Sequence, residues 1–213
     1  MSDIETGALL RRTLALLAQS GGRLLLALAA LTAVAVFADV GIDPRNRTPV
    51  DLLTAGVTLF LQTWLTIKLL EAHDERRGNR GVASVFGIGI LAGLGIAIGF
   101  LLLVVPGIIL LVRWSASVPY ALAEDIGVTD ALRRSFDETR EAFWPILFAL
   151  LACYAPLALA VATGLLMESE GITIASSLVV NLLINLGLLA GWHAAVAIYL
   201  LGRRETRLGE LFA

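Results

Sequence analysis

Long apolar runs separated by short charged gaps make up most of the chain. The runs cover 24–40, 52–70, 82–105, 108–123, 143–167 and 174–201. Charge enters them only near the ends, at Asp39 and Lys68, and once further in, at Arg113. Each run lies near the ~20 mostly apolar residues that a helix needs to cross a bilayer. None shows the alternation of a membrane strand. Backbone amides and carbonyls must be satisfied internally in hydrocarbon. The pattern therefore predicts an all-α, polytopic transmembrane bundle of about six spans. Pro106-Gly107 is expected to separate the third span from the fourth. Proline lacks an amide donor, glycine accepts turn dihedrals, and one helix of about 40 residues would overshoot a hydrocarbon core of about 30 Å.

The gaps have patterns of their own. Residues 41–49 are turn-rich, and Gly127, Thr129 and Asp130 mark the end of one helix and the start of the next. In that next segment Leu132, Phe136 and Phe143 fall near one face, with Arg133, Asp137, Glu138 and Glu141 largely elsewhere. This is an amphipathic helix suited to the membrane interface. Residues 8–14 resemble 131–136, in a register that sets Arg12 on Arg134 and 24–25 on 146–147. The N-terminal segment is thus read as a second amphipathic interfacial helix. The match suggests a parallel repeat of 6–72 and 129–201 around an 82–123 hairpin, within one integral membrane domain over 1–213.

Arginine and lysine placement gives the expected orientation. Arg11, Arg12 and Arg23 precede the first span, and Lys68, Arg76, Arg77 and Arg80 flank the second loop. Arg133, Arg134 and Arg140 occupy the fourth loop, and Arg203, Arg204 and Arg207 the tail. The alternate loops hold only Arg45 and Arg47, with Glu168 and Glu170 in the last of them. The positive-inside rule then puts both termini in the cytoplasm. No short apolar core with a small-residue cleavage site opens the chain, so the first span is expected to serve as an uncleaved insertion signal.

Composition agrees. The 213 residues are 58% hydrophobic and 16% charged, and mean hydropathy is +0.84. Soluble domains carry roughly a quarter charged residues. A net charge of -2 gives no reason to expect nucleic acid as a partner. Cys153 is the only cysteine, so no intramolecular disulfide forms.

Candidate chemistry is sparse. Arg113 lies about six residues past Pro106-Gly107, roughly 9 Å into the membrane at 1.5 Å per residue. A charge at that depth is a functional candidate for lipid phosphate or solute. The plainer reading is snorkelling to the head groups, with Trp114 as an interface anchor. Asn181 and Asn185, four apart on the last span, are candidate partners for it. Gln62 and His193 are further intramembrane polar groups, of the kind that commonly glue helices together. His73 among Glu71, Asp74 and Glu75 reads as a solvated helix end rather than a metal site, since no second histidine or cysteine lies near. Gly89 and Gly93, then Gly95 and Gly99, are small-xxx-small pairs for close helix packing. No nucleotide loop, nucleophile elbow or zinc-protease motif is present, and no cofactor is expected.

The stretch Val105-Pro106-Gly107-Ile108 through Arg113-Trp114-Ser115, Val118-Pro119 and Glu124 continues into 127–136, Thr139-Arg140 and Phe143-Trp144. It resembles the glycerophosphoryl diester phosphodiesterase membrane domain family and its six-span bacterial relatives. The resemblance covers about 105–144 and the membrane module only. Nothing in the chain resembles the phosphodiesterase catalytic domain. It implies a bacterial inner-membrane module, with Arg113, Pro119, Glu124, Arg133 and Arg134 as candidate functional positions. The combined expectation is a non-enzymatic protein that organises or binds lipids or partner membrane proteins, or itself as a homo-oligomer. The alternative is a channel or transporter lined by Arg113, Asn181, Asn185 and Gln62. A weaker third reading is an enzyme of lipid metabolism.

Overall fold

The fold is a computed structural model that describes residues 5–43, 45, 47–167 and 173–211, with side chains omitted at 167 and 204–211. Glu168 and Glu170, part of the 41–49 loop, and the side chains of Arg204 and Arg207 lie outside the described residues. Helices follow one another as α1 (Thr6–Gly41), α2 (Thr48–Glu71), α3 (Val82–Leu102), α4 (Val104–Arg113), α5 (Ser117–Glu124), α6 (Val128–Glu138), α7 (Phe143–Cys153), α8 (Ala155–Met167) and α9 (Ile174–Leu211). No strand occurs among the described residues. Five stretches are long and apolar enough to cross a membrane, namely α1, α2, α3, α4 with α5, and α9. The pair α7–α8, bent by 43°, makes a sixth if it is one span. The chain is a multi-pass, all-helical membrane protein.

The breaks have local causes. Gly21, at φ 40° and ψ -116°, kinks α1 and separates 6–20 from 22–41. That backbone geometry is open to glycine and strained for other residues. Pro49, Pro106, Pro119, Pro145 and Pro156 each stand second or third in their helix. A first-turn amide has no intrahelical partner, so proline costs nothing there. The third-to-fourth junction accordingly differs from the sequence expectation. The chain turns at Leu103, which is extended (φ -162°, ψ 144°), and Pro106 and Gly107 already belong to α4.

Glycine packing varies along α3. A Cβ on Gly99 would stand 2.9 Å from the Gly107 Cα, and one on Gly95 would meet the Trp114 ring at 2.5 Å. These two glycines let α4 and its C-terminal turn press against α3. Among the described residues, Gly89 and Gly93 have no neighbour within 4 Å of a Cβ position and make no close helix contact. The small-xxx-small spacing put all four on a packing face, but α4 covers only the end nearest the turn.

Two apolar clusters hold the bundle. The larger joins Leu9 and Leu16 of α1 to Leu70, Leu122, Ile146 and Ile198, with Tyr120 and Tyr199 edge-to-face at 4.9 Å. The smaller joins Ala27, Leu31, Leu61, Leu65, Leu189 and Trp192. Outside them, large apolar side chains face outward, Leu101 at 85% and Leu166 at 82% exposure. Such a surface is a liability in water and is the expected one in lipid.

Gly99→Ala should lower the unfolding midpoint in detergent, because overpacking against backbone costs about 1–3 kcal/mol. Gly93→Ala should leave it level or raise it, since alanine is the better helix former by up to about 1 kcal/mol. Tryptophan fluorescence on heating measures both. Equal midpoints for the two variants would contradict the close α3–α4 approach.

Candidate functional site

The break between α4 and α5 is the most constructed polar feature. Helix α4 ends at Arg113 and α5 begins at Ser117, so the carbonyls around 113 lose their helical partners. Helix α6 supplies replacements. The Ser135 hydroxyl donates to Arg113 O at 2.7 Å and accepts from the Ala116 amide at 3.2 Å. Thr139 Oγ1 divides its hydrogen between Ser135 O at 2.8 Å and Arg113 O at 3.3 Å. Ser135 and Thr139 are fully buried. They stand four apart, hence on one face of α6.

Above this joint lies the Arg113 guanidinium. Its Nη1 donates to Phe136 O at 3.3 Å, and its Cζ lies 5.1 Å from the Phe136 ring and 6.0 Å from the Phe143 ring. Both distances suit cation–π attraction. Its Nε is buried without a hydrogen-bond partner. Among the described residues no carboxylate comes within 4 Å of it.

The expected partnership of Arg113 with Asn181 and Asn185 does not form. Both asparagines face α1 instead. Asn181 Nδ2 donates to Asp39 Oδ2 at 2.7 Å, and Asn185 Nδ2 to Thr32 Oγ1 at 3.2 Å. Ser177 also donates to Asp39 at 2.7 Å, and Arg47 reaches it at 2.6 Å. Further along the same seam His193, fully buried, meets Ser20 at 2.8 Å through Nε2 and Leu189 O at 2.7 Å through Nδ1. A carbonyl only accepts, so in the neutral ring Nδ1 carries the proton, and Nε2 shares the Ser20 hydroxyl hydrogen with Leu16 O at 2.9 Å.

The other candidates are dispersed. Gln62 is half-buried and shares a recess of about 420 Å³ with Asp51, Thr54 and Thr58. Glu124 approaches Arg203 at 3.8 Å, and Glu75 approaches the same guanidinium at 3.6 Å. Arg133 and Arg134 are exposed and lie 4.0 and 3.1 Å from Asp137 and Glu138, one turn ahead on α6. His73 turns its Nδ1 to Leu69 O at 2.8 Å, capping the end of α2. No group of three His, Cys, Asp or Glu among the described residues could hold a metal ion. Compared with known proteins, the chain matches no family model, no curated sequence and no solved structure.

Sequence reasoning missed Ser135, Thr139 and Asp39. The only available signal for the first two was a pair of hydroxyls on the buried face of an otherwise charged helix. Asp39 stood at the end of an apolar run, directly before the turn-rich segment, with nothing in the sequence to name its partners.

Ser135→Ala should cost about 1–3 kcal/mol, since it strips partners from a buried carbonyl and a buried amide together. A double-mutant cycle on Asp39→Ala and Asn181→Ala should return about 1 kcal/mol of coupling, typical of hydrogen bonds between membrane helices. Both are read from unfolding midpoints in one detergent. Strict additivity of the pair would remove the α1–α9 clasp.

Proposed function

We propose that this chain is a non-enzymatic bacterial inner-membrane protein that binds and organises lipids or partner membrane proteins, other copies of itself included. Its termini face the cytoplasm by the distribution of arginines, and its resemblance to the phosphodiesterase membrane modules supports a bacterial inner membrane. The observation that carries the reading is the setting of α6. Its inner residues Ala131, Ser135 and Thr139 are buried against the broken α4–α5 span, while Arg133, Asp137 and the following Arg140 face outward. We read α6 as an amphipathic helix held beside lipid-facing apolar helices, the position an interfacial helix takes at head-group level. Such a surface recruits charged head groups or a neighbouring protein and needs no reacting group.

A channel or transporter is the second reading, and the recess beside Gln62 is what favours it. Two of its lining hydroxyls, Thr54 and Thr58, are engaged with the carbonyls of Val50 and Thr54. Asn181 and Asn185 are engaged with α1. The lining that reading needs is therefore largely committed to helix contacts.

Mass spectrometry of the protein in native-membrane nanodiscs tests the proposal. The expected result is an enriched anionic lipid or a stoichiometric partner protein, reduced by Arg133→Glu with Arg134→Glu. Bare protein, together with solute flux in liposomes, would overturn it in favour of the second reading.

A further inference from the structure

The asparagines and the histidine inside the spans have partners in the chain, Asn181 with Asp39, Asn185 with Thr32 and His193 with Ser20. Gln62 of α2 is different. Among the described residues its carboxamide makes no hydrogen bond. At 1.5 Å per residue it stands about 17 Å along the helix from Asp51 and about 9 Å from Lys68, well inside the span. An amide at that depth that meets neither protein nor water is costly.

The side chain is not sealed off. Gln62 is half-buried and lines a recess of about 420 Å³ whose described walls, from Asp51 to Gln62, all belong to α2. An apolar recess of about 400 Å³ adjoins it across Ala55 and Leu59, with Gly56 and Gly89 at its sides. Among the described residues a Cβ on Gly56 or Gly89 would meet nothing within 4 Å. This part of α2 is thus loosely covered by its own chain.

Its spacing describes what would cover it. Asp51, Ala55, Thr58 and Gln62 follow one another at intervals of four, three and four, the seam of two helices packed side by side. Toward Lys68 the same line continues through Leu65 and Leu69, both buried within the chain. Toward Asp51 it opens, with Thr58 half-buried and Ala55 and Asp51 exposed. Copies of one chain in one membrane share one orientation, so a symmetric pair turns about an axis along the membrane normal. Residues near that axis meet their own counterparts at equal depth. A carboxamide carries both a donor and an acceptor, so two copies of Gln62 satisfy each other in both directions. A lipid tail offers it neither. The one charge on the line, Asp51, would meet its like, but Arg47 Nε already donates to it at 3.1 Å.

We propose that the 51–62 face of α2 is a homodimer interface, closed by reciprocal hydrogen bonds between Gln62 and the partner's Gln62. This rests on the reading above of a protein that organises copies of itself, and names the face that does so. Ala55, with no side chain beyond Cβ, lets the two backbones approach.

The test uses the full chain, labelled at its amino terminus, in phosphatidylcholine liposomes. Energy transfer between donor- and acceptor-labelled copies is followed as the protein is diluted into lipid. The parent should associate, and Gln62→Leu should associate about tenfold more weakly, the worth of one polar contact between membrane helices. Gln62 makes no bond within the described chain, so this variant should keep the parent's unfolding midpoint in dilute detergent. In a Cys153→Ala background, Ala55→Cys should oxidise to a disulfide-linked dimer. Phe60→Cys, exposed on another side of α2, should stay monomeric. Equal association of Gln62→Leu and parent, or equal crosslinking at both positions, would overturn this face and leave self-organisation standing. Solute flux lost in Gln62→Leu with association unchanged would assign the recess to a hydrated pathway instead. A parent monomeric at every dilution would overturn the dimer. An enriched lipid or another partner protein in native-membrane nanodiscs would then keep the organising role, and the absence of both would sink that role as well.

Discussion

Proline has no amide hydrogen, so a helix reaching one must restart within the preceding turn or lose a hydrogen bond. Pro49, Pro106, Pro119, Pro145 and Pro156 all sit in the first turn of a helix, and each is preceded by a loop, a turn or a bend. Part of the polar structure of this fold follows from those interruptions. In water an interrupted helix satisfies its loose carbonyls with solvent. Among lipid-facing helices another part of the chain must do it. The break ahead of Pro119 is answered by Ser135 and Thr139 of α6, which ties the charged helix to the span and fixes where Arg113 can point. The bend ahead of Pro156 leaves Tyr154 O accepting from both Leu157 and Ala158, a local repair needing no outside donor.

The seam between α1 and α9 solves a different problem. Apolar side chains facing lipid gain nothing from choosing one neighbour over another, so helix pairing needs close packing or hydrogen bonds for its register. Ser20 with His193, Thr32 with Asn185, and Asp39 with Asn181 fix that register at three heights along one helix pair. Asp39 also takes Arg47 from the loop ahead of α2, so a single carboxylate joins α1, α9 and the approach to α2. This accounts for Asn181 and Asn185, whose polar side chains are taken up by the facing helix. Their hydrogen bonds run across to a facing helix rather than into a common lumen.

The spans were legible because twenty apolar residues in a row have few meanings, and the helical class followed from the bilayer alone. The junction near Pro106 was misplaced by three residues for a specific reason. Proline was read as the point of rupture, whereas it tolerates the first turn of the new helix, so the turn falls at Leu103. The same rule places the break ahead of Pro119 at 114–116, which apolar continuity through 108–123 concealed. Pairing was not legible. Arg113, Asn181 and Asn185 share a plausible depth, but depth does not say which helices are neighbours. Of the glycine ladder of α3, Gly95 and Gly99 meet the covering α4 and its C-terminal turn.

The segments 8–14 and 131–136, similar in sequence, compare position by position in the structure. In the register that sets Arg12 on Arg134, Leu9 falls on Ala131 and Thr13 on Ser135, and all four are buried. Gly21, where α1 kinks, falls on Phe143, where α7 begins. Both segments therefore consist of a short helix with a buried hydroxyl, an interruption, and an apolar helix. A chain that passes from a helix lying beside a membrane to one entering it must change direction, and a continuous α-helix bends only gently. One segment turns on the positive φ of a glycine and the other on a short loop with a proline behind it. Thr13 returns its hydroxyl to Leu9 O within its own helix, while Ser135 gives its own to the broken span. The two segments share a shape, but only the second is bound into the joint beneath Arg113.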